Sequence, residues 1–504
     1  MQDLPGAGRS PELGAERLGS RVGKSAGWVL VGRLLARSSG FVTTAVLARL
    51  LTPDAFGIVG FALVANGLFE AFSQFGLKEY LIQRPGRTRP LLGPAWAVIL
   101  MRSAAITALL VLTAPWLAAA FNMPEATNVL RAIAFIPLIR GMSNIEAMYF
   151  IKRLEFHKQF VLDAAPQLGI LVVGVSLALL WGSVWALVVG HLAGALLECA
   201  LSYVMCRSVP RPRFSAPRAR LMFRFGLFVF LSSIAGYFTI RGGEWIVAWL
   251  FDSHALGLYV LAVTIMRVPS QDLVKPLGRI LFPTFALVRD QPERLRSVFL
   301  RGYGLVVAST APLCLGLILV SGDFAAVVLG PQWLAITPIL AAVGVAALGH
   351  NLSTASSGLF YALGRPEISV VINLVGVAAL LAVVIVYLVA VPGEDRTVLA
   401  MAMCVVAAQL ANYTTRLLVT VRLIGIGLGR LLSANLATLS ALAAMALGVL
   451  AVQAALGSGL LRLVASVVVG GVVYVGCLLI FWIALHRGPL ADMAAVLAQV
   501  RRTA

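Results

Sequence analysis

Residues 55–64 read AFGIVGFALV, and residues 255–264 read ALGLYVLAVT. The two stretches match at an offset of 200 residues, at Ala55 and Ala255, Gly57 and Gly257, and Ala62 and Ala262. Each stretch opens an apolar run that is long enough, at about 1.5 Å per helical residue, to cross a hydrocarbon core of about 30 Å. The pair therefore predicts membrane-spanning helices and an internal repeat.

The composition of the whole chain is typical of a membrane protein. Of its 504 residues, 60% are hydrophobic and only 12% are charged, which excludes a chain of soluble domains. Long apolar runs recur along the sequence, whereas the short alternating segments of a membrane β-barrel are not found. The expected fold class is an all-α membrane protein.

These runs predict about fourteen transmembrane helices. The predicted spans cover residues 26–50, 56–80, 94–119, 127–150, 161–181, 184–206, 222–250, 256–276, 299–320, 335–361, 369–391, 397–422, 432–456 and 460–485.

The distribution of positive charge predicts the orientation of the spans. The net charge is +19, from 40 Lys and Arg against 21 Asp and Glu. Of the 40 basic residues, 25 lie in loops and tails on the side of the N-terminus, 14 lie within spans, and only Arg396 lies in a loop on the opposite side. Because basic loops stay cytoplasmic, both termini are predicted to be cytoplasmic, and the charge requires no nucleic-acid partner.

Six predicted spans separate the two copies of the repeat, so both copies have the same orientation and the repeat is parallel. We expect two parallel six-helix lobes around a central cavity, followed by a C-terminal helix pair. The predicted organisation is a disordered cytoplasmic tail without a signal-peptide pattern at 1–25, an N-lobe at 26–206, a basic cytoplasmic linker at 207–221, a C-lobe at 222–422, the helix pair at 432–485 and an amphipathic cytoplasmic tail at 486–504.

Several arginines lie deep within predicted spans. Arg33 and Arg37 are four residues apart and therefore share one face of the first span. An arginine at the bilayer centre costs about 2.5–3.5 kcal/mol, so both side chains are expected to face away from lipid. Arg140, Arg241 and Arg267 are also deep. Two roles stay open for these five residues: they form ion pairs that stabilise the bundle, or they line an aqueous basic cavity that receives an anion.

Acidic residues within the spans are candidate partners of these arginines. Glu70, Glu146 and Glu244 are the three acids that we assign to the cavity, and each is also a candidate for proton coupling. Glu244 follows Arg241 by three residues, so the two side chains lie on one helix face and are expected to pair.

Two kinds of polar residue complete the predicted interior. His350 and Asn351 lie deep in the tenth span and are candidate cavity residues, although an interhelical hydrogen bond is the alternative for each. Arg102 lies at an intermediate depth, and its role stays open. The other basic residues within spans lie closer to span ends, where long side chains reach the lipid headgroups. We expect this behaviour from Arg49, Lys78, Arg131, Arg224, Lys275, Arg301, Arg416 and Arg462.

The sequence contains no catalytic or metal-binding pattern. The five cysteines lie singly in or beside apolar runs and are typical of buried packing residues. The five histidines are scattered, and the acids do not cluster, so no metal site and no cofactor are predicted. The longest predicted outer loop, about 321–334, is too short for an external catalytic domain. We therefore expect that the protein is not an enzyme.

A family resemblance rests on three stretches that occur in order. They are AVLARLLTPDAFGIVGFALVANGLFEAFSQFGLKEYLIQRPG (45–86), MYFIKRLEFHKQF (148–160) and LGPQWLAITPILAAVGVAALGHNLSTASSGLFYALGRPE (329–367). With them the chain resembles the polysaccharide and lipid-linked-oligosaccharide flippases of the MOP superfamily, which also contains the MATE drug antiporters. The resemblance covers roughly residues 26–430.

The resemblance implies alternating access and a substrate of undecaprenyl-diphosphate-linked glycan units, carried across the bacterial inner membrane for exopolysaccharide, capsule or O-antigen. It implies that Arg33 and Arg37 contact the diphosphate, to which guanidinium groups donate bidentate, charge-assisted hydrogen bonds. Membrane lipid and the lipid-linked glycan are the partners expected from it, and contact with the polysaccharide polymerase and export machinery stays open. By default we expect a monomer.

The alternative within the same superfamily is a cation-coupled drug antiporter. Such proteins need an intramembrane carboxylate that carries the proton or sodium ion, whereas the first span contains arginines and no acid. Glu70 and Glu244 keep this alternative open. The glycan that is carried and the source of energy are not predicted from the sequence.

Overall fold

The computed structural model describes residues 40–72, 89–152, 155–206, 208–213, 216–272, 281 and 284–485. Within these residues the secondary structure is helical and includes no strand, which confirms the all-α class. Arg33 and Arg37 lie outside the described residues, as do both predicted tails.

The described residues 40–206 form a first group of helices, which we term the N-half. A 3₁₀-helix, Ile145–Met148, lies between two of its helices, and a π-helix, Ile170–Gly174, joins two others. The α-helices of the N-half are α1 (Gly40–Leu50), α2 (Pro53–Phe72), α3 (Arg89–Ala120), α4 (Ala126–Ile133), α5 (Phe135–Met142), α6 (Tyr149–Lys152), α7 (Phe156–Gly169), α8 (Val175–Trp181) and α9 (Val184–Met205).

The described residues 216–424 form a second group, the C-half, and a C-terminal pair of long helices follows it. Two π-helices, Val268–Asp272 and Ala325–Leu329, interrupt the C-half. Its α-helices are α10 (Ala216–Leu250), α11 (Ser253–Arg267), α12 (Pro292–Leu319), α13 (Ser321–Phe324), α14 (Ile336–Ala362), α15 (Pro366–Ala390) and α16 (Val398–Ile424). The remaining helices are α17 (Leu428–Ala434), α18 (Leu436–Ala455) and α19 (Leu460–Leu485).

Ten of the described helical segments are long and apolar enough to cross a membrane. They coincide with ten of the fourteen predicted spans. Of the other four, the first span is described only from Gly40, and the seventh and eighth correspond to α10 and to α11 with its π-helical extension. The fourth differs in form, as described next. The total of fourteen therefore stays a prediction.

The span predicted at 127–150 is built from short helices rather than one long helix. The chain turns at Ala134, between α4 and α5, and α5 ends at Met142. Asn144 then starts the 3₁₀-helix, because its Oδ1 accepts a hydrogen bond of 3.0 Å from the backbone N–H of Glu146. An asparagine in this capping position competes with continuation of the preceding helix, which explains the break.

The two halves contact each other mainly through α2 and α11, the helices that begin with the two repeat stretches. Helix α10 also packs against α2 and α3. The contact region is apolar and includes buried Phe61, Leu258 and Leu261. The helices predicted from the repeat therefore form the junction on which the relative position of the halves depends.

The C-terminal pair packs on the C-half through α12 and α13. Gln453 donates a hydrogen bond of 2.8 Å to the carbonyl of Leu319, and Tyr474 donates one of 2.7 Å to the carbonyl of Ala308. Arg462 forms a two-point ion pair with Asp323, whose side chain is only 3% exposed. The guanidinium group of Arg462 is thus held by a buried carboxylate, a partner that the sequence did not predict, and its position at the headgroups stays a prediction.

Candidate functional site

The N-half and the C-half are joined at one end of the molecule by polar contacts between the starts of α2 and α11. Ser253 donates a hydrogen bond of 2.9 Å to Oδ1 of Asp54. His254 Nδ1 lies 3.3 Å from Oδ2 of the same carboxylate. One carboxylate of the N-half thus holds two consecutive residues of the C-half.

A second set of contacts joins α1 to the segment that follows α13. Arg49 donates hydrogen bonds to the carbonyls of Val328, at 2.8 Å, and Val327. In the reverse direction, Gln332 Nε2 and Trp333 Nε1 both donate to the carbonyl of Ala48, at 2.8 and 2.7 Å. The donors of Arg49 bind backbone of the other half, a contact that the sequence did not predict, and its position at the lipid headgroups stays a prediction. We call the region formed by residues 48–57, 251–257 and 325–333 the sealed end.

Two glycines allow α2 and α11 to pack closely at the sealed end. A Cβ atom on Gly57 would lie 1.8 Å from the carbonyl oxygen of Ser253, and one on Gly257 would lie 1.9 Å from the carbonyl oxygen of Pro53. Neither backbone atom can move aside without moving its helix. The two matching glycines of the repeat therefore allow α2 and α11 to touch backbone to backbone.

Deeper in the molecule, the predicted pair of Arg241 and Glu244 is present. The Nη1 atom of Arg241 lies 2.6 Å from Oε1 and 2.8 Å from Oε2 of Glu244, within the single helix α10. The Glu244 side chain is 2% exposed and that of Arg241 is 30% exposed. Arg267 lies at the end of α11, which packs against α10. Arg241 and Glu244 therefore form a charged cluster within α10, beside the helix that carries Arg267.

Tyr237 connects this cluster to the N-half. Its hydroxyl group donates to the carbonyl of Val64 on α2 and accepts a hydrogen bond of 3.2 Å from Trp245 Nε1. Glu70, one of the predicted cavity acids, is on the same helix as Val64 and accepts a hydrogen bond of 3.3 Å from Asn66. A Cβ atom added to Gly67 would lie 3.2 Å from the Tyr237 ring, so Glu70 lies on α2 one turn beyond this contact. Tyr237 was not predicted from the sequence, because a tyrosine on an apolar helix carries no signal of a partner.

The other two predicted residues of the N-half lie apart from this cluster. Arg140 forms an ion pair with Glu198, with 3.3 Å between Nε and Oε2, and its side chain is 45% exposed. Glu146 accepts hydrogen bonds from the hydroxyl group and from the backbone N–H of Ser208, the latter at 3.2 Å. Asn144 donates to the carbonyl of Ser208 at 2.9 Å. Glu146 therefore fastens the segment between the halves, at the end of α9 that is remote from the sealed end.

His350 and Asn351 lie within the C-half. The His350 ring packs edge-on against Tyr413, with 5.5 Å between ring centroids. Asn351 is buried and its Nδ2 lies 3.6 Å from Sγ of Cys314, while its Oδ1 has no hydrogen-bond partner among the described residues. These contacts join α14 to α16 and α12. The structure thus pairs Arg241 with Glu244, places Glu70 one turn beyond the contact of α2 with Tyr237, and keeps His350 and Asn351 inside one half.

A comparison with known families matches residues 46–338 to the family described as "Polysaccharide biosynthesis protein". The chain belongs to this family. The match covers more than half of the chain and includes the first two of the three stretches on which the predicted resemblance rests.

Curated relatives are similar over about two thirds of the chain. One is "Lipopolysaccharide biosynthesis protein WzxC" of Escherichia coli (strain K12), 26% identical over 350 residues, which are 69% of this chain and 71% of the relative. Another is "Succinoglycan biosynthesis transport protein ExoT" of Rhizobium meliloti (strain 1021), 27% identical over 67% of each chain.

Solved structures share the fold of this family member. "Lipid II flippase MurJ, inward closed conformation" superposes with a TM-score of 0.73 at 14% identity, covering 91% of this chain and 99% of the other. An inward-facing multidrug resistance MATE transporter of the MOP superfamily gives a TM-score of 0.60 at 12% identity, covering 78% and 98%. At such identities the likeness concerns the fold alone, and it agrees with the predicted all-α membrane fold.

Proposed function

We propose that this protein is a flippase that carries polyprenyl-diphosphate-linked glycan units across the bacterial inner membrane. Membership of the polysaccharide biosynthesis family supports this role. So does the similarity to relatives whose names state lipopolysaccharide biosynthesis and succinoglycan transport. The glycan and diphosphate cannot cross hydrocarbon unaided, because each polar group without a partner costs several kcal/mol there.

One observation carries the mechanism: the two halves are sealed at one end by contacts among short segments, while charged residues lie deeper along the same junction. We infer that the sealed end faces the exterior, because the loops at the opposite end hold nearly all the loop lysines and arginines. The protein then rests closed toward the exterior, and transport requires that the contacts of Asp54 and Arg49 break. Alternating access follows from rocking of one half against the other.

We propose that the diphosphate is received by a basic cavity between the halves. Arg33 and Arg37 are the candidates for direct contact, and Arg267 is a further candidate from the C-half. Arg241 is a candidate only for a weaker contact, because Glu244 neutralises it. Arg140 stays a candidate only for a weaker, peripheral contact, because Glu198 neutralises it. Guanidinium groups bind phosphate oxygens strongly, so the arginines must release the diphosphate before the substrate can leave.

The drug-antiporter alternative is disfavoured by the state of the buried acids. Glu244 and Asp323 each pair with an arginine, which disfavours the loss and gain of a coupling ion at these carboxylates. Glu70 stays a candidate for ion coupling.

The test is translocation of a lectin-detectable polyprenyl-diphosphate oligosaccharide in proteoliposomes. We expect transport by the wild type, strong loss in the Arg33→Ala/Arg37→Ala double variant, and wild-type transport in Arg289→Ala, a matched control whose side chain is 59% exposed. Equal transport by the double variant would remove the diphosphate role of the two arginines. Absence of wild-type transport together with active drug efflux would refute the proposed function.

A further inference from the structure

Arg416 on α16 is a buried cation held by neutral groups. Its side chain comes from a residue that is only 6% exposed. The Nη1 atom donates to the hydroxyl groups of Ser357, at 2.7 Å, and Ser369, at 3.4 Å, and Nη2 donates to Oδ1 of Asn373, at 2.6 Å. These three residues belong to α14 and α15, so the guanidinium group joins three helices. The expectation that Arg416 reaches the headgroups is wrong.

The charge of Arg416 has no counter-charge in the described part of the chain. None of the ion pairs found there includes this residue, in contrast to Arg241 and Arg462, which each have a carboxylate. Neutral oxygens satisfy hydrogen bonds but do not neutralise a cation, and a buried charge without a counter-charge is strongly unfavourable. The arrangement therefore needs an anion.

The groups around Arg416 have donors to offer such an anion. The Nε–H group has no acceptor among the described residues. Each serine hydroxyl that accepts from Nη1 still has its own proton to donate, and Asn373, which accepts through Oδ1, still has its amide N–H groups. Positive charge surrounded by spare N–H and O–H donors is the chemistry that recognises an anion.

A further donor without a partner lies beside Ser357 on α14. Ser356 Oγ is fully buried and has no hydrogen-bond partner among the described residues, so its O–H group is also spare. The site lies about 12 Å from the end of α16, eight residues before Ile424. Arg416, Ser357, Ser369 and Asn373 all belong to helices of the C-half.

We propose that Arg416, with Ser357, Ser369 and Asn373, binds a small monovalent anion of the size of chloride. The strong burial limits the ligand to a halide-sized ion, because a phosphate ester or a glycan would need an opening in the packing of α14, α15 and α16. The anion neutralises the guanidinium group and fastens these three helices. This site does not depend on the proposed function.

The test is the thermal unfolding of the purified full-length protein in detergent, while sodium gluconate is replaced by sodium chloride at constant ionic strength. A ligand that binds only the folded state raises Tm with its concentration. We expect Tm of the wild type to rise with chloride, no such rise in Arg416→Gln, and the wild-type rise in Arg289→Gln, an exposed control.

Ser357→Ala keeps the charge and removes one donor, so it tests the site even if Arg416→Gln does not fold. We expect it to need about tenfold more chloride for the same rise in Tm, as the loss of one hydrogen bond to an ion predicts. A purely structural role would lower Tm equally at every chloride concentration. That result, a wild type insensitive to chloride, or an equal chloride response in Arg416→Gln would overturn the proposal.

Discussion

Gly57 and Gly257 lie face to face, so that a Cβ atom on Gly57 would stand 3.0 Å from the backbone nitrogen of Gly257 and 1.8 Å from the carbonyl oxygen of Ser253. Two positions that match in the sequence thus meet in space, 200 residues apart along the chain. Their contact fixes how closely the two halves approach at the sealed end.

Replacing Gly57 by alanine is therefore expected to open the sealed end. The added methyl group would overlap with backbone, which cannot rotate away, so α2 and α11 must separate. The measurement is disulfide formation between cysteines at positions 54 and 253, whose native side-chain oxygens are 2.9 Å apart, in a background that lacks the native cysteines. We expect efficient cross-linking with Gly57 and at least a severalfold lower yield with Gly57→Ala.

Gly236→Ala provides the matched control for this experiment. Gly236 also lies in a helix, but a Cβ atom there meets no described atom within 4 Å, so the cross-link should form as in the parent. An undiminished yield in Gly57→Ala would show that the halves separate independently of this contact.

Replacing Arg241 or Glu244 by an uncharged residue is expected to destabilise the protein by different amounts. Arg241→Gln leaves a carboxylate that is 2% exposed without its partner, which should destabilise the protein by about 3–5 kcal/mol. Glu244→Gln should cost less, because the arginine side chain is 30% exposed and can turn toward water. Denaturant unfolding of both variants and of the double variant measures this order, and a larger loss in Glu244→Gln would contradict it.

Glu146 is expected to protect the segment between the two halves from trypsin. The bond after Arg211 precedes a proline and resists cleavage, whereas the bond after Arg213 does not. Glu146→Ala removes the acceptor of two hydrogen bonds from Ser208, so cleavage after Arg213 should become about tenfold faster. Glu293→Ala, whose carboxylate is 80% exposed and binds Arg296, should leave the rate unchanged.

Arg462 is expected to hold the C-terminal helix pair on the C-half. In Arg462→Ala the buried carboxylate of Asp323 loses its two-point partner, so hydrogen exchange in α18 and α19 should accelerate. Arg430→Ala, at an exposed position, is the control. Unchanged exchange in Arg462→Ala would mean that Gln453, Tyr474 and apolar packing suffice for docking.

The sequence predicted those parts of the molecule that depend on local pattern. Ten spans follow from apolar length, and the pairing of Arg241 with Glu244 follows from a spacing of three residues on one helix. The repeat at Gly57 and Gly257 indicated two corresponding helices, although it did not indicate that these helices touch.

Contacts between residues that are distant along the chain could not be predicted from local sequence patterns. Arg49, Arg416 and Arg462 all lie near helix ends, where a long side chain in lipid is expected to turn toward water. The position of a residue along a span does not indicate any other partner for its side chain. Their actual partners are 278, 59 and 139 residues away, at places that only the packing of the helices determines. The break in the fourth span was missed because the capping role of Asn144 depends on the local backbone.

The acceptors at the sealed end have a consequence for the balance between conformations. Arg49, Gln332 and Trp333 donate mainly to backbone carbonyls that, once the halves part, would be hydrated instead. Exchanging a hydrogen bond within the protein for one to water changes the free energy by only about 0.5–1.5 kcal/mol for each bond. The polar contacts of the sealed end can thus favour the closed form by only a few kcal/mol, an amount that the binding energy of a single charged substrate can reverse.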